Sequence, residues 1–120
     1  MPYDIEALGV TVHKRVEDAI EGADVVDILR IQLERQKKGM FPTPREYARI
    51  YGMGTDKLKL LKPDALIMHP GPTNRGLEIS WDMSYCDQAV IREQVESGVA
   101  VRMALLFLTL MGGKQIENAN

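Results

Sequence analysis

The chain has 120 residues, 45% apolar and 27% charged, the size and composition of one globular domain able to bury a core. Fifteen Lys and Arg against 17 Asp and Glu leave a formal charge of −2, so net charge favours neither nucleic acid nor an anionic membrane; the expected partner is a small molecule or a protein. A single cysteine, Cys86, excludes an internal disulfide and a cysteine-rich zinc site, and with His13 and His69 as the only histidines no metal or cofactor is expected.

In chain order, the amino terminus MPYDIEALGV lacks a basic region and a long apolar stretch, so no signal peptide is expected, and a reducing cytoplasm is the natural compartment. Gly9 to His13 reads as a short strand and Val16 to Ile20 as a helix closed by Gly22, a residue suited to the left-handed position after a helix. Ala23 to Leu29 is β-branched and mostly apolar, the pattern of a strand covered on both faces. Asp27 is the exception in it, and it must be either exposed at an edge or paired. Thr43-Pro44-Arg45-Glu46 places a hydroxyl at a cap, proline at the first helical position and glutamate three residues after the cap, so a helix starts there. Tyr47, Ala48, Ile50 and Tyr51 supply its apolar stripe and Gly52 ends it.

A second helical piece runs from Asp56 to Leu61 and stops before Pro63, and Ala65 to Met68 forms the next strand. Pro70 and Pro72 have no N–H and bracket Gly71, so the chain leaves its sheet at His69, in a binding loop or in an ordinary proline-rich turn. Asp87 to Val95 is predicted helical, with a break or bend at Gly98 before a last helix from Val99 to Leu110 that Gly112-Gly113 ends. The apolar run Val99 to Met111 has 13 residues and includes Arg102, short of the ~20 a membrane helix needs, so it is expected to seek a protein surface. Strands alternating with helices predict an α/β fold with an open parallel sheet, whose sites lie at the carboxyl ends of strands.

Two strand ends carry distinctive side chains. Arg30 and Gln32, two apart on extended backbone, point to the same side, and a guanidinium fork beside an amide suits a dicarboxylate; the alternative is a surface ion pair involving Arg30, Glu34 or Arg35. His69 is either a base or a satisfied core residue, and Arg75 and Glu78 either bind ligand or tie the loop to its surroundings, the second being favoured. Met40, Met53, Met83 and Met103 form no stripe and read as packing, Gly52-Met53-Gly54 lacks the strand and third glycine of a dinucleotide fingerprint, and Trp81 and Cys86 receive no role.

Leu29 to Arg35, Phe41-Pro42 with Arg45-Glu46-Tyr47, His69-Pro70-Gly71-Pro72-Thr73-Asn74-Arg75-Gly76, and Gly98 to Leu106 together resemble aspartate carbamoyltransferase, in order and over nearly the whole chain. The resemblance is to the later part of the catalytic chain, and it implies a Rossmann-like, incomplete parallel sheet flanked by helices, with residues 1–120 forming part of the aspartate-binding domain. It implies substrate binding by Arg30 and Gln32 on the aspartate carboxylates and by the carbonyls of Pro70 and Gly71 on the reacting N–H groups, with His69 and Arg75 as loop supports. Cysteine is usual at the position of Gly71 in ornithine-specific relatives, so aspartate is the implied acceptor and carbamoyl phosphate the donor. The family's Ser-Thr-Arg-Thr phosphate motif, its earlier catalytic histidine and the serine and lysine lent by a neighbouring subunit have no counterpart here. The implied partners are therefore an amino-terminal carbamoyl phosphate domain, against which helix 99–111 would pack, and two further copies in a homotrimer. A stand-alone binding or assembly module without catalysis is the competing expectation.

Overall fold

The computed structural model describes residues 4–32 and 43–117, of which 112–117 by backbone alone. The elements are α1 (Val16–Ile20), β1 (Val25–Asp27), α2 (Pro44–Tyr51), β2 (Leu66–Met68) and α3 (Ile91–Glu117), with 3-10 turns at Ile5–Leu8, Thr55–Leu60 and Met83–Tyr85. β1 and β2 pair in parallel, with Val25 opposite Leu66, Val26 opposite Ile67 and Asp27 opposite Met68. This is the expected α/β arrangement of a small parallel sheet flanked by helices.

The Gly9 to His13 strand does not form. Gly9 sits at φ 79° behind the first 3-10 turn, and the following residues, including Val10 and Val12, lie outside regular structure and exposed. A strand needs a ladder partner and a face to bury, and among the described residues this segment has neither. β1 is covered on one face only: Val25 and its partner Leu66 are 50% and 42% exposed, while Ile67 is fully buried. The both-face expectation for β1 is thereby corrected, and Asp27, two residues from Val25, lies on the open side and is exposed.

The capping box forms as its sequence predicts. Thr43 accepts from the Glu46 N–H through Oγ1 at 3.3 Å, and the Glu46 carboxylate accepts from the Thr43 N–H at 3.1 Å. Of the expected stripe, Tyr47 and Ala48 are half-buried whereas Ile50 and Tyr51 are exposed. The piece expected at Asp56 to Leu61 is a 3-10 turn over Thr55–Leu60, closed before Pro63.

α3 departs most from expectation. It starts at Ile91 because the preceding residues are committed to β2: Ile67 N–H donates to the Gln88 carbonyl at 2.8 Å and Val90 N–H donates to the Ile67 carbonyl at 2.9 Å. It then runs through Gly98 and Gly112-Gly113 without a break. One glycine in a helix interior costs only ~1 kcal/mol, too little to stop a run of helix-compatible neighbours. The resulting helix is longer than its apolar run, and Ile91–Met111 has the length and apolar composition of a membrane span; no residue of that stretch is fully buried.

The core lies beneath the inner face of the sheet and joins Ile20, Ile28, Met53, Leu61, Ala65, Ile67, Ile79 and Met83. Met53 and Met83 pack as expected, Met103 is exposed, and Met40 lies outside the described residues. α3 touches this core through Ile91 at its start and then projects. The radius of gyration is 18.7 Å, against roughly 14 Å for a compact domain this long.

Candidate functional site

Parallel pairing of β1 and β2 sets their carboxyl ends side by side, and the Ile28 N–H, donating to the Met68 carbonyl at 2.9 Å, extends the register one residue further. From there β1 continues into Arg30, Ile31 and Gln32, all half-buried, and β2 into His69, Pro70 and Gly71. Segments about 40 residues apart in sequence thus leave the sheet together. Glu34, Arg35, Phe41 and Pro42 lie outside the described residues.

The loop after β2 is held by its own side chains. His69 is fully buried, and its backbone N–H donates to Gln94 Oε1 on α3 at 2.7 Å. Its Nδ1 accepts from the Gly71 N–H at 2.9 Å, so Nδ1 carries no proton and Nε2 does. Nε2 donates to Glu78 Oε1 at 3.3 Å. The same Glu78 oxygen accepts from the Asn74 N–H at 2.5 Å, and Asn74 Nδ2 donates to the Ile31 carbonyl at 2.9 Å. Gly71 adopts φ +67°, a left-handed conformation open to glycine, and the Gly71-Pro72 peptide is cis. With both ring nitrogens committed and no exposed surface, His69 has no free edge to offer a substrate.

The remaining residues frame the loop. Arg75 is exposed, and its guanidinium lies 4.3 Å from the Trp81 ring centre and 5.2 Å from that of Tyr85. Tyr47 is half-buried; burial first, then the Glu78 carboxylate and Tyr51, hold its phenol above the ordinary tyrosine pKa. Pro70 borders a hollow of about 270 Å³ with Gln94, Val95, Gly98, Val99 and Arg102. Nothing in the sequence marks Asn74 and Gln94 as supports, because the partners of their side chains lie 43 and 25 residues away and no periodicity marks such pairs. Among the described residues no group of three His, Cys, Asp or Glu could hold a metal ion.

Residues 4–109 match the family described as aspartate/ornithine carbamoyltransferase, Asp/Orn binding domain. The chain belongs to this carbamoyltransferase family. It is 59% identical over 114 residues to the aspartate carbamoyltransferase catalytic subunit of Desulforamulus reducens, a match covering 95% of this chain and 36% of that subunit. Carbamoyltransferases of known structure share its fold. The ornithine carbamoyltransferase of Burkholderia thailandensis superposes with a TM-score of 0.72 at 24% identity, over 91% of this chain and 33% of that one. The aspartate transcarbamoylase of Trypanosoma cruzi, in complex with carbamoyl phosphate, superposes with a TM-score of 0.70 at 24% identity, over 89% and 36%. The chain thus spans about a third of the length of the carbamoyltransferases it matches. It corresponds to the amino-acid-binding part of the family's catalytic subunit.

Proposed function

We propose that this chain is the aspartate-binding part of an aspartate carbamoyltransferase, which acts in de novo pyrimidine biosynthesis. In that reaction the amine nitrogen of L-aspartate attacks the carbonyl carbon of carbamoyl phosphate. The new C–N bond replaces the C–O bond to phosphate, phosphate leaves, and the amine gives up a proton. The observation that carries the reading is the side-by-side exit of the Arg30 to Gln32 segment and the Pro70-Gly71 loop from adjacent parallel strands.

In this reading Arg30 grips a carboxylate of aspartate bidentately and Gln32 adds an amide contact. The Pro70 and Gly71 carbonyls accept from the N–H groups of the reactants, in a loop whose one internal N–H, that of Gly71, is already taken by His69. His69 supports the loop, and Arg75 fastens its outer end against Trp81 and Tyr85. No cofactor is needed. Residues 99–111 of α3, exposed along their apolar length, pack in the complete polypeptide against an amino-terminal carbamoyl phosphate domain. Three complete chains form a homotrimer in the cytoplasm, and residues 1–120 alone are inactive, because binding one reactant does not stabilise the transition state.

Steady-state assay of the complete polypeptide tests this. Arg30→Ala removes a charge-assisted contact worth roughly 1.5 to 3 kcal/mol, so the aspartate KM is expected to rise on the order of ten- to a hundredfold with little change for carbamoyl phosphate. Arg30→Lys is also expected to be poor, since an ammonium lacks the fork. Equal loss for both substrates would make Arg30 structural, and a complete natural polypeptide that transfers no carbamoyl group would favour a binding module.

A further inference from the structure

Glu78 is a costly residue where it stands. It is 2% exposed, its Oε1 collects two N–H donors, and its Oε2 is buried with no hydrogen-bond partner among the described residues. A buried carboxylate with one oxygen unsatisfied lowers stability relative to a well-packed neutral side chain, so its presence calls for a role outside stability.

Its neighbours indicate that role. Oε1 receives Nε2–H of His69, whose Nδ1 in turn receives the Gly71 N–H, so one carboxylate oxygen orients the Pro70-Gly71 peptide through the imidazole. The same oxygen receives the Asn74 N–H, and the Asn74 amide reaches across to the carbonyl of Ile31, the residue between Arg30 and Gln32. A continuous hydrogen-bonded path therefore runs from Gly71 through His69, Glu78 and Asn74 to Ile31. Charge-assisted bonds at its centre make it stiffer than a neutral chain of the same length.

We propose that Glu78 and Asn74 are positioning residues, a strut that sets the spacing between the Arg30 and Gln32 pair and the Pro70-Gly71 carbonyls and so fixes the reach of the amino-acid substrate. The inference rests on the functional reading above. Neither residue touches substrate in it. Loosening the strut misplaces the two halves of the aspartate site relative to each other and leaves the carbamoyl phosphate half untouched.

The test uses the complete polypeptide with two variants. Asn74→Ala cuts the link to Ile31 while keeping the backbone N–H to Glu78, and its aspartate KM is expected to rise about three- to tenfold, with the carbamoyl phosphate KM within twofold of the parent. Glu78→Gln keeps the shape but removes the charge; the aspartate KM is expected to rise while thermal stability stays equal or increases, a split that a purely structural role would not produce. An unchanged aspartate KM in both variants, or a parallel rise for both substrates, overturns the proposal. If the parent itself does not carbamoylate aspartate, the functional reading fails instead, and the strut is then read by amide hydrogen exchange. Exchange at the Gly71 amide at least tenfold faster in Asn74→Ala supports it, and unchanged exchange overturns it.

Discussion

Gly71 donates its N–H to Nδ1 of His69, two residues earlier, at 2.9 Å, and this bond fixes both the tautomer of the ring and the direction of the loop. His69→Ala leaves the Gly71 N–H and one acceptor site of Glu78 unsatisfied and opens a cavity where a fully buried ring stood. The expected cost is about 2–4 kcal/mol, seen as an earlier urea midpoint at unchanged m-value. A loss below about 1 kcal/mol would show that the ring is not a structural anchor.

Two glycines are expected to respond differently to alanine. A Cβ at Gly52 would press on the Ala48 carbonyl oxygen and stand 2.8 Å from that of Leu77, both backbone, so Gly52→Ala must displace α2 from the neighbouring loop, at about 1–3 kcal/mol. At Gly71 a Cβ meets only Val95 Cγ2 at 3.7 Å, and the strain is that of φ +67° alone, about 1 kcal/mol. Thermal unfolding of both variants checks the order, with Gly52→Ala melting lower.

Lys57 is buried, with Nζ donating to the Gly52 carbonyl at 2.7 Å and lying 3.9 Å from Glu17 Oε1. Lys57→Met keeps the stem but leaves that carbonyl without its donor. A loss of about 1–3 kcal/mol is expected, carried mainly by the bond to Gly52, since Glu17 is partly exposed and its pair with Lys57 is long. Glu17→Gln should therefore be nearly neutral in the same denaturation assay.

Thr43→Ala removes the cap of α2 and is expected to cost about 1 kcal/mol, while Thr43→Ser should be close to neutral. The side-chain and backbone hydrogen bonds from Thr43 hold the Glu46 carboxyl below the ordinary glutamate pKa, with Arg49 contributing less. A carboxyl lowered in the folded state contributes stability above its unfolded pKa and loses it as pH falls through the folded one. The difference between parent and Thr43→Ala should accordingly shrink on acidification below the normal glutamate range, and NMR titration of Glu46 should show its pKa rising in the variant.

Trp81 is the sole tryptophan, so its fluorescence reports the contact with Arg75 directly. Arg75→Ala should shift its emission and cost ~0.5–1 kcal/mol, the range of an exposed cation–π pair. An unchanged spectrum would mean that the guanidinium does not sit on the ring in solution.

The cap at the start of α2 and the glycine after α1 were legible in the sequence, because each is set within a few residues. Thr43 and Glu46 bond each other across three positions, and Gly22, at φ 68°, follows α1 as expected. Pro70 and Pro72 end β2 because neither can donate to a ladder, which is a property of the residue and not of its surroundings. The family resemblance rests on such short motifs, and the match over residues 4–109 agrees with it.

Whatever depends on a distant partner was decided by the tertiary structure alone. Gly9 to His13 has the alternation of a strand but no ladder to join among the described residues, and Gln88 to Val90 has the composition of a helix start but bonds to Ile67 instead. Gly98 marks a break only if its neighbours tolerate one, and the long apolar helix around it does not. The ties from Glu78 to His69 and from Asn74 to Ile31 likewise carry no sequence signature. A side chain's own chemistry states that a buried donor needs an acceptor, but the path of the chain determines which acceptor stands within 3 Å.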